Sequence, residues 1–292
     1  MGEARWGLSL AQVGTRFDAL VERAETAAAV GFDSVWLTDH LIVPDHPDAD
    51  LLEALTTAAA VAARTSEVRI GHLVLNAALR HPVLLAKSLA TVDVISGGRL
   101  EIGLGWGSLA EETRRLGVSA QAAAERADAL ADLLTVLPPL LRGETVSFTG
   151  RWFRLDEVRC RPATVQQLPP LHLAGVGPRR TLPLVRAHAD WWNIPATHND
   201  RVAELRPLAP DVRLSVQHLV GVVNGRRTAE GLEGFARRRL AAWGPPTVGT
   251  PGELVQRFAE QREAGAEMFV VHLIDDSLDA LVEFGRDVVG AS

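Results

Sequence analysis

The sequence predicts an α/β fold, a single (β/α)8 barrel spanning residues 1–292. Short, continuously apolar strands alternate with helix-period segments, the alternation gives eight strand–helix units, and 292 residues suffice for one such barrel with an insertion. An open doubly wound sheet needs only about five or six strands.

The elements follow in order. Residues 6–10 form a first apolar strand, and apolar residues at helical spacing over 16–30 predict a helix stopped by Gly31. Ser34-Val35-Trp36-Leu37 is too short and too uniformly apolar for a half-exposed antiparallel strand and reads as a buried parallel one. A helix over 51–64, a strand over 68–75, a helix over 82–95 and a strand over 99–104 come next. Alanine-rich helical sequence runs over 109–137 with a break near Gly117. Residues 142–161 change character: Thr145–Phe148 and Trp152–Leu155 flank Thr149-Gly150-Arg151, the pattern of an inserted hairpin. After the proline-rich 162–170 connection come a strand over 171–174, a helix over 179–188, a strand over 191–194 and a short helix near 200–205. A strand over 212–223, helices within 228–243 and 251–264, a strand over 268–273 and a helix over 278–289 complete the alternation.

Composition narrows the function classes. Hydrophobic residues make up 47% and charged residues 23%, ordinary for a soluble globular chain, so disorder is excluded. A net charge of −6 gives no global attraction to phosphate backbones or anionic membranes, so neither nucleic acid nor membrane is an expected partner. Cys160 is the single cysteine, which rules out an intrachain disulfide and a thiolate zinc cluster, and no histidine pair has zinc-protease spacing, so no metal is expected. The N-terminal residues lack a basic region followed by an apolar stretch, and no run approaches the ~20 apolar residues of a membrane span; a cytoplasmic location is the expectation. The absence of tyrosine removes that residue as a catalyst.

In such a barrel, chemistry belongs at the C-terminal ends of the strands, where the following loops meet. The second strand ends in Thr38-Asp39-His40, an acid beside an imidazole that reads either as an acceptor and proton carrier or as a surface turn with Asp39 capping the next helix. The third strand ends in His72-Leu73-Val74-Leu75-Asn76, before Arg80-His81-Pro82 opens a helix. The fourth is followed by Gly103-Leu104-Gly105-Trp106-Gly107-Ser108 and Glu111-Glu112, a turn that serves either a close ligand approach or tight chain reversal. Gly175-Val176-Gly177-Pro178-Arg179 follows the fifth strand; its amides, the next helix's dipole and Arg179 fit an anion such as a phosphate, and equally a plain turn. His198, His218 and His272 close later strands or loops.

Taken together these segments resemble the luciferase-like monooxygenase superfamily, in particular its branch that uses the deazaflavin coenzyme F420. The most specific stretch runs from Val68-Arg69-Ile70-Gly71 through Leu79-Arg80-His81-Pro82, Ala90-Thr91-Val92-Asp93 and Ser96-Gly97-Gly98-Arg99-Leu100 to Gly103-Leu104-Gly105-Trp106-Gly107. Gly31-Phe32-Asp33-Ser34-Val35-Trp36, Gly175-Val176-Gly177, His188-Ala189-Asp190 and Gly249-Thr250-Pro251 extend the likeness over nearly the whole chain. The resemblance implies a TIM barrel holding a flavin-type ring, with a non-prolyl cis peptide near Leu73-Val74 backing it. His72 and Leu73 stand where many relatives have small residues. His40 is implied as the acid or base, with Asp39, Leu73, Val74, Asn76, Gly105, Trp106, Gly107, Gly175, Val176, Gly177 and Arg179 around the cofactor. The implied activity is hydride transfer between C5 of F420 and a small organic substrate, by a homodimer. FMN-dependent monooxygenation is the alternative on the same scaffold, and a catalytically idle flavin-binding or structural barrel is the alternative of another class.

Overall fold

The computed structural model describes residues 4–43, 46–107, 110–117 and 122–291. Its strands are β1 (Arg5–Ser9), β2 (Ser34–Leu37), β3 (Arg69–His72), β4 (Leu75–Asn76), β5 (Leu100–Gly105), β6 (Thr145–Thr149), β7 (Arg154–Arg159), β8 (Leu171–Ala174), β9 (Trp191–Ile194), β10 (Arg213–Val222), β11 (Pro246–Gly249) and β12 (Met268–Leu273). Parallel pairing runs β1-β2-β3-β5-β8-β9-β10-β12 and returns from β12 to β1, closing an eight-stranded barrel. The ring is the one the alternation predicts. Each of these strands is buried along nearly its whole length, because helices cover one face and packed side chains fill the other.

The helices form the outer layer and start and stop on local chemistry. Pro82–Ser96 has Pro82 in its first turn, where a missing N–H costs nothing, and ends at Gly97 with φ 65°. Pro251–Glu263 opens with a capping box between Thr250 and Glu253, and Leu278–Asp287 with the Ser277 hydroxyl accepting from the Ala280 amide. Between the layers, Trp6 packs against Phe258, Phe269 and Phe284 with ring centroids 4.9–5.7 Å apart. Trp36, Leu73, Trp191, Met268 and Val270 form a second cluster.

Several expected elements shift. The strand expected over 68–75 breaks into β3 and β4, since the chain bends at Leu73-Val74, where the peptide is cis. Helical sequence over 109–137 becomes Ala110–Arg115 and Ala123–Leu141; Ser108, Leu109 and residues 118–121 lie outside the described residues. The second helix runs through Pro138 and Pro139 because Leu137, Leu140 and Leu141 are buried on its inner face, which outweighs two missing amide donors. The hairpin's second strand is Arg154–Arg159, starting two and ending four residues beyond the expected 152–155, with a register shift between Val146 and Phe148. The helix expected from 179 starts at Thr181, with 178–180 in a turn. β11 falls in a stretch expected to be a connection and pairs with the C-terminal half of β10. No helix among the described residues is long and apolar enough to cross a membrane.

Candidate active site

The C-terminal ends of the strands surround a cavity of about 1140 Å³. It has the size and mostly apolar lining expected of a cofactor-plus-substrate site. Its best-defined polar feature lies after β2. Nδ1 of His40 is 2.9 Å from Oε2 of Glu112, whose Oε1 accepts the backbone N–H groups of Leu41 at 2.7 Å and Ile42 at 3.2 Å. Burial opposes ionisation of Glu112, but the hydrogen bonds from His40 and the two amides hold its carboxyl below the usual glutamate value. A carboxylate on Nδ1 directs that nitrogen's proton and leaves Nε2, without a protein partner among the described residues, to exchange a proton with a ligand.

Asp39, the neighbour of His40, does different work. One of its carboxylate oxygens accepts the Asn76 backbone N–H at 2.7 Å, and the other forms an ion pair with Arg80. It thereby ties the end of β2 to β4 and to the following turn. Burial raises the Asp39 carboxyl above its ordinary value, against the pull of Arg80 and the Asn76 amide. The helix after β2 is capped by Glu53, so Asp39 does not cap it. On the other side, the Thr38 backbone N–H donates to Oε1 of Gln12 at 2.6 Å, tying β2 to the loop after β1.

Leu73 and Val74 line the cavity. A Cβ at Gly103 would collide with the His72 carbonyl oxygen, and one at Gly105 would come within 2.8 Å of Val74 Cγ2, so these glycines let the bent segment lie on β5. Gly107 has φ +83°, and a side chain there would meet Asn76 Oδ1 at 2.6 Å. Trp106 is held by a hydrogen bond from Nε1 to Thr181 Oγ1 at 3.3 Å and by the Arg126 guanidinium 5.5 Å over its ring. Nε1 of Trp192 donates to the Gly175 carbonyl at 2.8 Å, fixing the turn after β8.

A sequence model of the family described as luciferase-like monooxygenase matches residues 4–213. The chain belongs to this family. Among curated relatives, it is 31% identical over 187 residues to the F420-dependent hydroxymycolic acid dehydrogenase of Mycobacterium tuberculosis, covering 64% of this chain and 51% of that one. It is 34% identical over 160 residues to the F420-dependent glucose-6-phosphate dehydrogenase of Amycolatopsis mediterranei, covering 54% and 48%. The match thus spans about half the length of these curated relatives. The solved structure of an F420-dependent secondary alcohol dehydrogenase in complex with an F420-acetone adduct superposes over 100% of both chains with a TM-score of 0.85 at 18% identity, a likeness of fold.

In this family member the cavity brings together His40, Asp39, Leu73, Val74, Asn76, Gly105, Trp106, Gly107, Gly175, Val176 and Gly177. Arg179 is not among its lining residues: it is exposed in the turn before Thr181, outside the helix whose start it was expected to mark. His198 also lies outside the lining and contacts Thr197 Oγ1 at 2.8 Å through Nδ1. His218 is buried among Asn199, Thr247 and Gln261, a structural role. His72 is buried, with Nε2 3.4 Å from the Ala54 carbonyl. His272 does line the cavity, its ring stacked 4.3 Å from that of Trp243. Sequence reasoning missed Glu112 as the partner of His40, although it noted the Glu111-Glu112 dipeptide after the glycine turn. It noted Arg80 only as part of Arg80-His81-Pro82 and missed its pairing with Asp39, and it missed Gln12 and the 235–243 wall, which have no local motif.

Proposed function

We propose that this chain is an F420-dependent oxidoreductase that transfers a hydride between C5 of the deazaflavin and a small organic substrate, acting as a single barrel domain with His40 as proton carrier. The observation that carries the reading is the His40–Glu112 pair in the barrel mouth. The names of the relatives, F420-dependent dehydrogenases, favour the deazaflavin over FMN.

The residues present fit such a group. The glycines at 105 and 107 leave the end of β5 bare where any side chain would strike Val74 or Asn76. The Gly175-Val176-Gly177 turn leads into the helix Thr181–His188, whose N-terminal end favours a phosphate. Asp39, Leu73, Val74, Asn76, Trp106 and these glycines would hold the cofactor. When bound, a deazaflavin supplies a carbon that exchanges hydride in place of the flavin nitrogen. Nε2 of His40 takes the proton from a substrate hydroxyl, or returns it to a carbonyl oxygen, while the Glu112 carboxylate orients the ring and stabilises its cationic form. Trp106 supplies an apolar wall that excludes water from one side of the cavity.

Equilibrium titration of the apo-protein with F420 and FMN tests the reading. F420 is expected to bind more tightly; about tenfold tighter FMN binding, ~1.4 kcal/mol, would put FMN-dependent monooxygenation first. F420 binding with no turnover over a broad substrate panel would favour an idle barrel.

The same reading includes a homodimer. The helix Pro82–Ser96 leaves Leu84 67% exposed, with Val94 and Ile95 also exposed, and Val165 is held beside it by its backbone N–H, which donates to Asp93 Oδ2 at 2.6 Å. Such an apolar outer face fits a second copy. Sedimentation of wild type against Leu84→Glu with Ile95→Glu tests it, the expected change being from dimer to monomer.

A further inference from the structure

The half of the cavity away from the glycine turns has its own chemistry. The segment after β10 begins with the helix Ala229–Arg239, on which Phe235 and Arg239, four residues apart, share the face that lines the cavity. Leu240 and Trp243 follow and line it too. Leu240 and Trp243 also pack on a small separate core of Leu219, Leu232, Ala236 and Ile274, so this wall is built on its own support. Phe235 is 44% exposed, an aromatic surface left partly open to solvent.

Charge accounting singles out Arg239. The lining carboxylates are Asp39, Asp48, Glu112 and Asp276. Asp39 is paired with Arg80, Glu112 with His40, and Asp276 interacts with the buried Arg23 guanidinium. Asp48 comes from the loop after β2, separated from the β10 segment by β1 and β12 in the ring. Arg239 has neither hydrogen bond nor ion pair among the described residues, and Arg237 and Arg238 beside it add to the positive field at this helix end. A free guanidinium at the edge of an aromatic and aliphatic wall matches a ligand with an apolar body and an anionic end.

We infer that this half of the cavity selects an apolar organic carboxylate as substrate, its hydrocarbon body against Phe235, Leu240 and Trp243 and its carboxylate on Arg239. The inference rests on the oxidoreductase reading, which gives the glycine-lined half to the cofactor. Isothermal calorimetry with octanoate and with 1-octanol, each with and without saturating F420, tests it. Octanoate is expected to bind at least about tenfold more tightly than 1-octanol, as a charge-assisted contact requires. Arg239→Gln should bring octanoate down to the octanol level, Arg239→Lys should keep part of the preference, and Phe235→Ala should weaken both ligands. F420 affinity should be unchanged in all three variants. Equal binding of octanoate and octanol to wild type, or an Arg239→Gln variant that loses F420 affinity and keeps its octanoate affinity, overturns the inference. Octanoate preference in a protein that binds no F420 overturns the oxidoreductase reading and with it the carboxylate's role as substrate, and supports only the carboxylate-binding part of this inference.

Discussion

Glu112 and His40, 72 residues apart in sequence, meet through a 2.9 Å contact at the rim of the barrel, and the same carboxylate accepts the two amides that follow the histidine. The glutamate therefore fixes both the ring and the loop that carries it. His40→Ala is expected to slow turnover by about 100- to 10,000-fold, the range for a positioned acid or base, with cofactor affinity changed only several-fold. Glu112→Gln keeps the amide contacts but removes the charge, so it should lower kcat more than it raises KM and displace the pH–rate profile. Single-turnover kinetics and cofactor titration on both variants check this. A wild-type hydride-transfer rate in the alanine variant would move the proton to another residue, with His272 the histidine that also lines the cavity.

Arg80→Ala is expected to cost about 3 to 5 kcal/mol of stability, because it strands the buried Asp39 carboxylate without its cation. Arg80→Ala combined with Asp39→Asn should recover a large part of that loss, since no uncompensated charge is left. Urea denaturation of the set measures it, and additive losses in the double variant would contradict the coupling.

Stability should fall in two acid steps. His72, His218 and His272 are each pushed down to about 4, burial being the main cause in every case. Their folded values lie below the ordinary 6.5, so the unfolded chain binds more protons between pH 6.5 and 4 and stability drops as pH falls through that window. Glu101 is also displaced downward, for a different reason: burial works against its charge, but the hydrogen bond and charge of His172 and the Arg5 guanidinium bring it to about 2. Its contribution is present above 4.5 and is lost as pH falls toward 2. His218→Gln should flatten the first step by about 1.4 kcal/mol per pH unit and leave the second intact. Denaturant midpoints across the acid range would show it.

The sequence reading expects Arg179→Ala to weaken cofactor binding. Arg179 is exposed and off the cavity lining, and an exposed guanidinium contributes little, so the variant is here expected to bind F420 within about twofold of wild type. Gly105→Ala, by contrast, pushes a methyl to within 2.8 Å of Val74 Cγ2 and should weaken F420 by roughly tenfold while the protein stays folded. Fluorescence titration separates the two. A strong effect at Arg179 with none at Gly105 would relocate the cofactor's anionic group.

The amino-acid sequence by itself determined the barrel. The apolar periods of the eight ring strands are local signals, and short parallel strands have few ways to bury both faces except inside a ring of helices. It also determined the ring of mouth residues from Asp39 to Gly177, since position at a strand's C-terminal end follows from the alternation alone. The tertiary structure decided everything that depends on two distant segments meeting. Glu112 is one of two adjacent glutamates until the fold sets it against His40, and Arg80 is an ordinary loop arginine until β2 and β4 bring it to Asp39. Arg179 shows the converse. Its spacing after a glycine turn looks right for an anion, yet the turn extends to residue 180 and leaves Arg179 exposed and outside the cavity lining. Pairing partners and side-chain direction are set by packing between elements, and no single stretch of sequence contains that information.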